Sequence, residues 1–209
     1  MVAKMCSFVF VVLVPALGQS GLQPEPIPAA SGPAFNVSAG YSFLTMSVPE
    51  AGRVNLNGLN VNGGLDFSWR WGVTVDSTYV RTPSVLEAPH QAYVLDLVAG
   101  PVFYPIVRTN TRVFVHAMIG AGMVDGVAPK SDLDYRHGWV IGTSYVAGAG
   151  IERYLHGPFA LRVSGDYLRT AFFDYSGVLQ PQNNLRVTVG LVFPAHRRGT
   201  VPTRESVPQ

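Results

Sequence analysis

Apolar side chains recur at every second position in eight segments of the chain between residues 35 and 193. In the last segment, for example, Val187, Val189 and Leu191 alternate with Thr188 and Gly190. Successive side chains of a β-strand point to opposite faces of a sheet, so the alternation predicts strands with one apolar face and one face of polar residues and glycine. No segment keeps the i, i+3, i+4, i+7 spacing of an amphipathic helix beyond a turn or two. The pattern therefore predicts an all-β fold.

The connections predicted between these strands alternate in length. Short ones fall at 70–72, 105–111 and 155–158, and longer ones at 48–57, 82–91, 125–138 and 175–183. Strands of about 9 to 11 residues are long enough to cross a bilayer, and the predicted strands have about that length. An even strand count with the long connections at one end is typical of membrane barrels. We therefore predict an eight-stranded antiparallel up-and-down transmembrane β-barrel.

The polar face of these strands carries charges of both signs. Inside a narrow barrel such charges can pair across the lumen, which offsets much of the cost of burying each one alone. Glycines are frequent on the same face, and an eight-stranded barrel has an interior just wide enough for side chains, so glycine makes room for the long ones. The predicted lumen-facing charge cluster comprises Asp66, Arg70, Asp76, Asp96, Arg112, His116, Glu152, Arg162, Asp166 and Arg186.

Composition indicates that the apolar face points outward. Charged residues make up 13% of the chain and hydrophobic residues 47%, and lysine occurs only at Lys4 and Lys130. A soluble β-protein usually covers its exposed face with charged residues, above all Lys and Glu. Aromatic residues, Trp and Tyr among them, fall mostly toward the predicted strand ends, where a membrane barrel carries its aromatic girdles. The net charge of +2 gives no reason to expect a nucleic-acid partner.

The N-terminus is typical of an exported protein. Lys4 precedes an apolar run, Met5–Val14, and small residues follow at Ala16 and Gly18. The run is shorter than the roughly 20 residues that a spanning helix needs, so we interpret residues 1–18 as a cleaved signal peptide. The single cysteine, Cys6, would be removed with it, which excludes disulfides, thiolate metal sites and cysteine nucleophiles from the mature chain.

The remaining chain divides into three parts. Residues 19–33 form a Pro-rich leader, residues 34–193 the barrel domain, and residues 194–209 a polar tail that we predict to be disordered and periplasmic. The barrel region resembles the eight-stranded outer-membrane β-barrel family typified by the membrane domain of outer membrane protein A. The resemblance covers about three quarters of the chain and is carried by Leu97–Tyr104, Val113–Gly122, Leu161–Thr170 and Asn184–Phe193.

The resemblance implies a location and partners. It implies insertion in the bacterial outer membrane as a monomer, contact with membrane lipid and lipopolysaccharide, and recognition of the last strand, which ends at Phe193, by the barrel-assembly machinery. Arg169, at outward parity near a long connection, could contact lipopolysaccharide phosphates or could lie past the end of its strand. The short tail after Phe193 is too small for the peptidoglycan-binding domain that some family members carry.

The sequence offers only weak candidates for a catalytic or metal site, and we predict neither of these and no cofactor. His116 has Phe114 and Met118 as its neighbours on the same strand face, so a nucleophilic serine is missing there. His90 and His137 fall in predicted loops, and the acidic loop residues lack the glycine and terminal glutamate of a calcium loop. The loop residues near these histidines that could complete a catalytic set are Ser84, Glu87, Ser131, Asp132 and Asp134. The acidic residues that could bind a divalent cation are Asp125, Asp132 and Asp134.

Three functions remain open from the residues alone. The first is a non-enzymatic outer-membrane barrel with a structural role or a weak small-solute pore. Its lumenal charges would be either a permanent plug or a gate whose ion pairs exchange. The second is a soluble periplasmic lipocalin-like binder, which requires an apolar lumen and a charged exterior. The third is a lipid-modifying membrane enzyme with a site near the outer rim.

Overall fold

The chain forms a closed antiparallel barrel in the computed structural model, as the alternation predicts. The structure describes residues 33–48, 52–83, 91–108, 110–131, 134–155, 159–173 and 179–194. The predicted signal peptide 1–18, the leader up to residue 32 and the tail from residue 195 lie outside the described residues. No helix long and apolar enough to cross a membrane occurs in the described part of the chain.

Each strand pairs with its neighbours in sequence order, and β1 pairs with β8 to close the barrel. We call the end where β1 joins β2 the loop end, and the end where β2 joins β3 the turn end. The strands are β1 Ala34–Val48, β2 Gly52–Asp66, β3 Trp71–Thr82, β4 Ala92–Arg108, β5 Thr111–Ser131, β6 Asp134–Tyr154, β7 Ala160–Phe173 and β8 Leu179–Pro194.

Several strands are longer than the alternation predicts. β5 and β6 each span 21 residues and stay paired from Thr111–Arg153 to Ser131–Asp134, so the predicted long connection 125–138 is mostly strand. β2 likewise begins at Gly52 instead of after residue 57. The prediction failed in β2 because the apolar residues Val54 and Leu56 lie on the opposite parity to Leu59 and Val61, so the alternation is interrupted while backbone pairing continues. In β5 and β6 the regular alternation ends near residues 125 and 139, although the two strands stay paired beyond them.

The outward face is apolar and exposed, and the inward face is buried. Large side chains such as Leu59, Val75 and Ile119 are more than half exposed. Aromatic pairs lie at the turn end, where the ring centroids of Trp71 and Phe103 are 4.6 Å apart and those of Phe159 and Phe193 5.2 Å apart. The exterior is that of a barrel that spans a membrane, because it presents an apolar wall edged by aromatic rings.

Candidate functional site in the lumen

An ion-pair cluster fills the turn end of the lumen around Arg112. Its Nη1 lies 2.9 Å from Asp66 Oδ2, and its Nη2 lies 2.7 Å from Glu152 Oε2. The Nε of Arg112 also donates to that glutamate oxygen at 3.0 Å. Arg112 belongs to β5 and Asp66 to β2, which are not neighbours in the barrel, so this pair crosses the lumen. The guanidinium also lies 4.5 Å from the ring centroid of Tyr104, whose hydroxyl donates to Asp66 at 2.9 Å.

Arg162 completes this turn-end cluster. Its Nη1 lies 3.2 Å from Glu152 Oε1, so Glu152 is bound by two arginines from the strands on either side of it. The guanidinium stacks over the ring of Phe114 at 4.2 Å. That ring occupies the space above Gly150, where a Cβ atom would come within 2.4 Å of the ring. The glycine therefore makes room for the aromatic partner of Arg162.

A second cluster, nearer the loop end, is centred on Arg186. Its Nη1 lies 2.7 Å from Asp76 Oδ1 across the lumen, and its Nε lies 2.9 Å from Asp166 Oδ2 on the adjacent strand. Asp166 also contacts His116 Nε2 at 2.9 Å. A Cβ atom on Gly148 would come within 2.1 Å of the Asp166 carboxylate, so this glycine accommodates the His116–Asp166 pair.

Amide and hydroxyl groups hold Asp76 in place. Asn60 Nδ2 donates to Asp76 Oδ2 at 2.8 Å, and Thr78 Oγ1 donates to Asp76 Oδ1 at 3.1 Å. Asn62 Nδ2 contributes a longer contact of 3.4 Å. Asp76 therefore accepts hydrogen bonds from neutral donors as well as from Arg186, which is the condition under which a buried ion pair recovers its desolvation cost.

Asp96 has no such partners. Its side chain is buried, with 2% of the residue exposed, yet neither carboxylate oxygen has a hydrogen-bond partner in the described part of the chain. Ser144 lies near this carboxylate, and its hydroxyl likewise has no hydrogen-bond partner in the described part of the chain. Asp96 lines a small cavity together with Arg186, Thr78 and apolar side chains of the loop end.

Arg70 is the predicted cluster residue that the structure places elsewhere. It is exposed in the turn between β2 and β3, with its guanidinium 4.1 Å from the ring centroid of Trp69. The turn lies at residues 67–70, earlier than the predicted 70–72, because β2 ends at Asp66 and β3 begins at Trp71. Ser68 closes the turn by accepting the backbone N–H of Trp71 at 2.9 Å. The other nine predicted residues are buried.

An apolar layer packs inside the lumen toward the loop end, and the sequence analysis missed it. It lies on the parity that was interpreted as polar. The available signal was that the Ser42 parity of β1 continues into Leu44 and Met46. The layer consists of Leu44, Met46, Leu56, Val80, Val94, Val98, Met118, Val146 and Leu168.

The remaining sequence candidates are not assembled into a site. Ser84, Glu87, His90 and Asp132 lie outside the described residues, and nothing is described of the side chains of Ser131, Asp134 and His137. Among the described residues, no group of three or more His, Cys, Asp or Glu side chains is arranged to hold a metal ion. His116 contacts Asp166, and its ring centroid lies 5.6 Å from that of Phe114. No serine hydroxyl of the described residues is bonded to it.

Solved outer-membrane proteins share this fold. Ail, the attachment invasion locus protein of Yersinia pestis, matches with a TM-score of 0.57 and 19% identity, over 78% of this chain and 99% of that one. Neisserial surface protein A matches with a TM-score of 0.61 and 12% identity, over 78% and 98%. Ail in complex with the heparin analogue sucrose octasulfate matches with a TM-score of 0.55 and 20% identity, over 78% and 99%. No protein-family model and no curated protein matches the chain. At these identities the likeness establishes the fold.

Proposed function

We propose, from the premise that this chain folds as an eight-stranded outer-membrane β-barrel, that it is a non-enzymatic structural protein of the outer membrane. Its lumen is closed, and its loop end faces the outside. The observation that carries the proposal is the filling of the lumen by two different kinds of contact, with paired charges toward the turn end and the apolar layer toward the loop end.

The apolar layer opposes conduction. Leu56 and Val80 are fully buried, and Leu44 and Leu168 are 2% exposed, so these side chains leave almost no surface to bulk water. An ion crossing this layer would lose its hydration without finding replacement ligands, and hydrophobic constrictions of this kind close pores by dewetting. Below it, Arg186 and Arg112 are each held between two carboxylates, so passage would also require breaking buried ion pairs.

Conductance in planar bilayers tests the closed lumen. We expect the folded protein to show no steady unitary conductance, and a Leu56→Ser/Val80→Ser variant to conduct because two fully buried members of the layer become polar. Leu59→Ser, on the lipid-facing wall, is the matched control and should stay silent. Unboiled and boiled samples on a gel establish that each variant is folded. Steady channels from the unmodified protein would overturn the proposal.

A weak small-solute pore is the second candidate, and one observation favours it. Among the described residues, the buried lumenal carboxylates Asp66, Asp76, Asp96, Glu152 and Asp166 outnumber the buried arginines Arg112, Arg162 and Arg186 by five to three. A pore through such a lumen would select cations, since the surplus charge is negative. Cation-selective openings in the unmodified protein would therefore support this function, whereas silence would remove it.

The non-enzymatic part of the proposal is supported by the setting of His116. The ring is buried and contacts a carboxylate that is already bound to Arg186, so no substrate can reach it from the lipid phase. The test compares the lipid A profile of cells that express the protein with that of cells that lack it. We expect identical profiles. A modified profile that disappears with His90→Ala or His137→Ala would favour a lipid-modifying enzyme.

Assembly through the last strand is part of the same proposal. Phe193 is 43% exposed, lies next to the end of β8 and contacts Phe159 edge to face. Its exposed ring is available to the barrel-assembly machinery. A closed barrel has no free sheet edge, which supports a monomer. The test of the monomer is the mass of the detergent-solubilised protein, and a stable dimer would contradict it.

A further inference from the structure

Two arginines project from the outer wall of the barrel near its loop end. Arg81 is the penultimate residue of β3, and Arg169 lies near the end of β7. Both are exposed at positions that alternate with buried lumenal residues, so both point away from the lumen. In the part of the chain that the structure describes, neither guanidinium has a carboxylate partner or a hydrogen bond. Since β3 and β7 are four strands apart in a barrel of eight, the two arginines lie on opposite sides.

The surroundings of the two arginines are alike. Arg81 pairs in register with Asn57 on one side and Tyr93 on the other. Arg169 pairs in register with Asn183 on one side and Tyr145 on the other. Each arginine is therefore flanked by one asparagine and one tyrosine, although the two sites share no sequence motif and their neighbours come from different strands.

A further tyrosine orients each asparagine. Tyr41 Oη donates to Asn57 Oδ1 at 2.5 Å, and Tyr167 Oη donates to Asn183 Oδ1 at 2.6 Å. Because the amide oxygen is occupied as an acceptor, the amide nitrogen remains as a donor beside the guanidinium. Each site thus combines a guanidinium with an oriented amide donor on a wall that otherwise faces lipid.

Such a set of donors suits an anion, and its level on the wall identifies the source. Exposed apolar side chains lie directly below, among them Leu59 and Tyr79 beside Arg81, and Leu185 and Tyr167 beside Arg169. A planar guanidinium fork matches the geometry of phosphate oxygens. We propose that the sites around Arg81 and Arg169 each bind a phosphate of an outer-leaflet lipid headgroup, so that two phosphorylated lipids are held on opposite sides of the barrel.

The proposal rests on the proposed function only in placing the loop end at the outer leaflet. Its test is lipid counting by native mass spectrometry of the folded full-length protein in neutral detergent, with bis-phosphorylated lipid A as the probe. We expect two bound lipids. Arg81→Gln and Arg169→Gln should each remove one of them, with affinity at the altered site at least about tenfold weaker, as expected for loss of a charge-assisted hydrogen bond.

Two other exposed outward arginines serve as matched controls. Arg53 lies on β2 closer to the loop end than Asn57 does, with Ser47 as its register partner. Arg153 lies at the turn end between Thr111 and Leu161. Arg53→Gln and Arg153→Gln should keep two lipids, and dephosphorylated lipid A should not bind. Displacement by inorganic phosphate alone would show a free-anion site instead and would overturn the lipid assignment.

Unchanged lipid counts in the double variant Arg81→Gln/Arg169→Gln would also overturn the proposal. Each variant should fold, because both residues are exposed and lie outside the lumen. The gel-mobility shift on boiling confirms this for each sample. An unchanged lipid count would not contradict the proposal of a closed lumen, because the conductance test involves none of these residues. Conversely, channel activity in the unmodified protein would contradict the closed lumen without altering the lipid count.

Discussion

The same substitution at two lumenal aspartates should change stability in opposite directions. Asp76 accepts hydrogen bonds from Arg186, Asn60 and Thr78. Asp96 is equally buried but has no hydrogen-bond partner in the described part of the chain. Aspartate to asparagine keeps the size and shape of the side chain, removes the charge and replaces one acceptor oxygen with an N–H₂ donor. Asp96→Asn should therefore stabilise the barrel, and Asp76→Asn should destabilise it.

The magnitudes follow from the contacts. Removing one partner of a buried ion pair costs about 3 to 5 kcal/mol, because the remaining charge is left uncompensated. Asp76→Asn does this to Arg186, which keeps Asp166 as an ion-pair partner and Thr78 as a hydrogen-bond acceptor, and it also sets an amide N–H₂ against donors. For Asp96 the unpaired carboxylate is itself the cost, and a neutral amide is easier to bury, so we expect a gain of about 1 to 3 kcal/mol.

Chemical unfolding of the protein in lipid vesicles, followed by tryptophan fluorescence, measures both effects. With unchanged denaturant dependence, a shift of the midpoint reports a change in the free energy of unfolding. Ser144→Ala is a useful companion, because its hydroxyl is also unsatisfied and its loss should be close to neutral. If Asp96→Asn lowered the midpoint as much as Asp76→Asn, Asp96 would have a partner and the account of the lumen would be wrong.

Further predictions concern the glycines, the turn-end cluster and the last strand. Gly148→Ala should destabilise by about 1 to 3 kcal/mol through overpacking, since its Cβ would lie 2.1 Å from a carboxylate oxygen, whereas Gly165→Ala has open space and should be near neutral in the same unfolding assay. Arg112→Met should cost about 3 to 5 kcal/mol, and equal stability to the unmodified protein would contradict its place in the network. Phe193→Ala should reduce the heat-modifiable fraction of the protein in isolated outer membranes. The purified variant refolded in detergent should still change its gel mobility on boiling. A normal heat-modifiable fraction in membranes would contradict a role of Phe193 in assembly.

The alternation of side chains predicted the barrel, and the mixed charges on one parity together with the scarcity of lysine predicted which face points outward. Strand pairing buries one parity and exposes the other, and Val187 and Arg186 show this on neighbouring positions of β8. Alternation could not locate the turn after β2, because Ser68 and Arg70 continue the polar parity although their backbone has left the sheet. The displaced position of Arg70 is a direct consequence.

The specific contacts of the lumen were beyond the reach of the sequence. Charges of both signs on one parity predict pairing, but the partners depend on how strands that are not neighbours face each other. Arg186 and Asp76 are 110 residues apart, and no local pattern relates them. The unpaired state of Asp96 was missed for the same reason, since it depends on which residues share a level of the closed barrel. The apolar layer left a local signal, the continuation of the Ser42 parity into Leu44 and Met46, but its closure across the lumen depends on the same alignment.

The cross-lumen ion pairs also bear on how the strands choose their alignment. A slip of one residue between two strands reverses the faces and is rejected by the membrane, but a slip of two residues restores them. The hydrophobic pattern cannot tell such an error from the native arrangement. The ion pairs of Arg112 with Asp66 and of Arg186 with Asp76 distinguish the two arrangements. In a barrel shifted by two residues, each guanidinium would lie opposite other residues and would be buried without its carboxylate. The charged interior therefore destabilises barrels that close in the wrong strand register, including those whose apolar exterior would still suit the membrane.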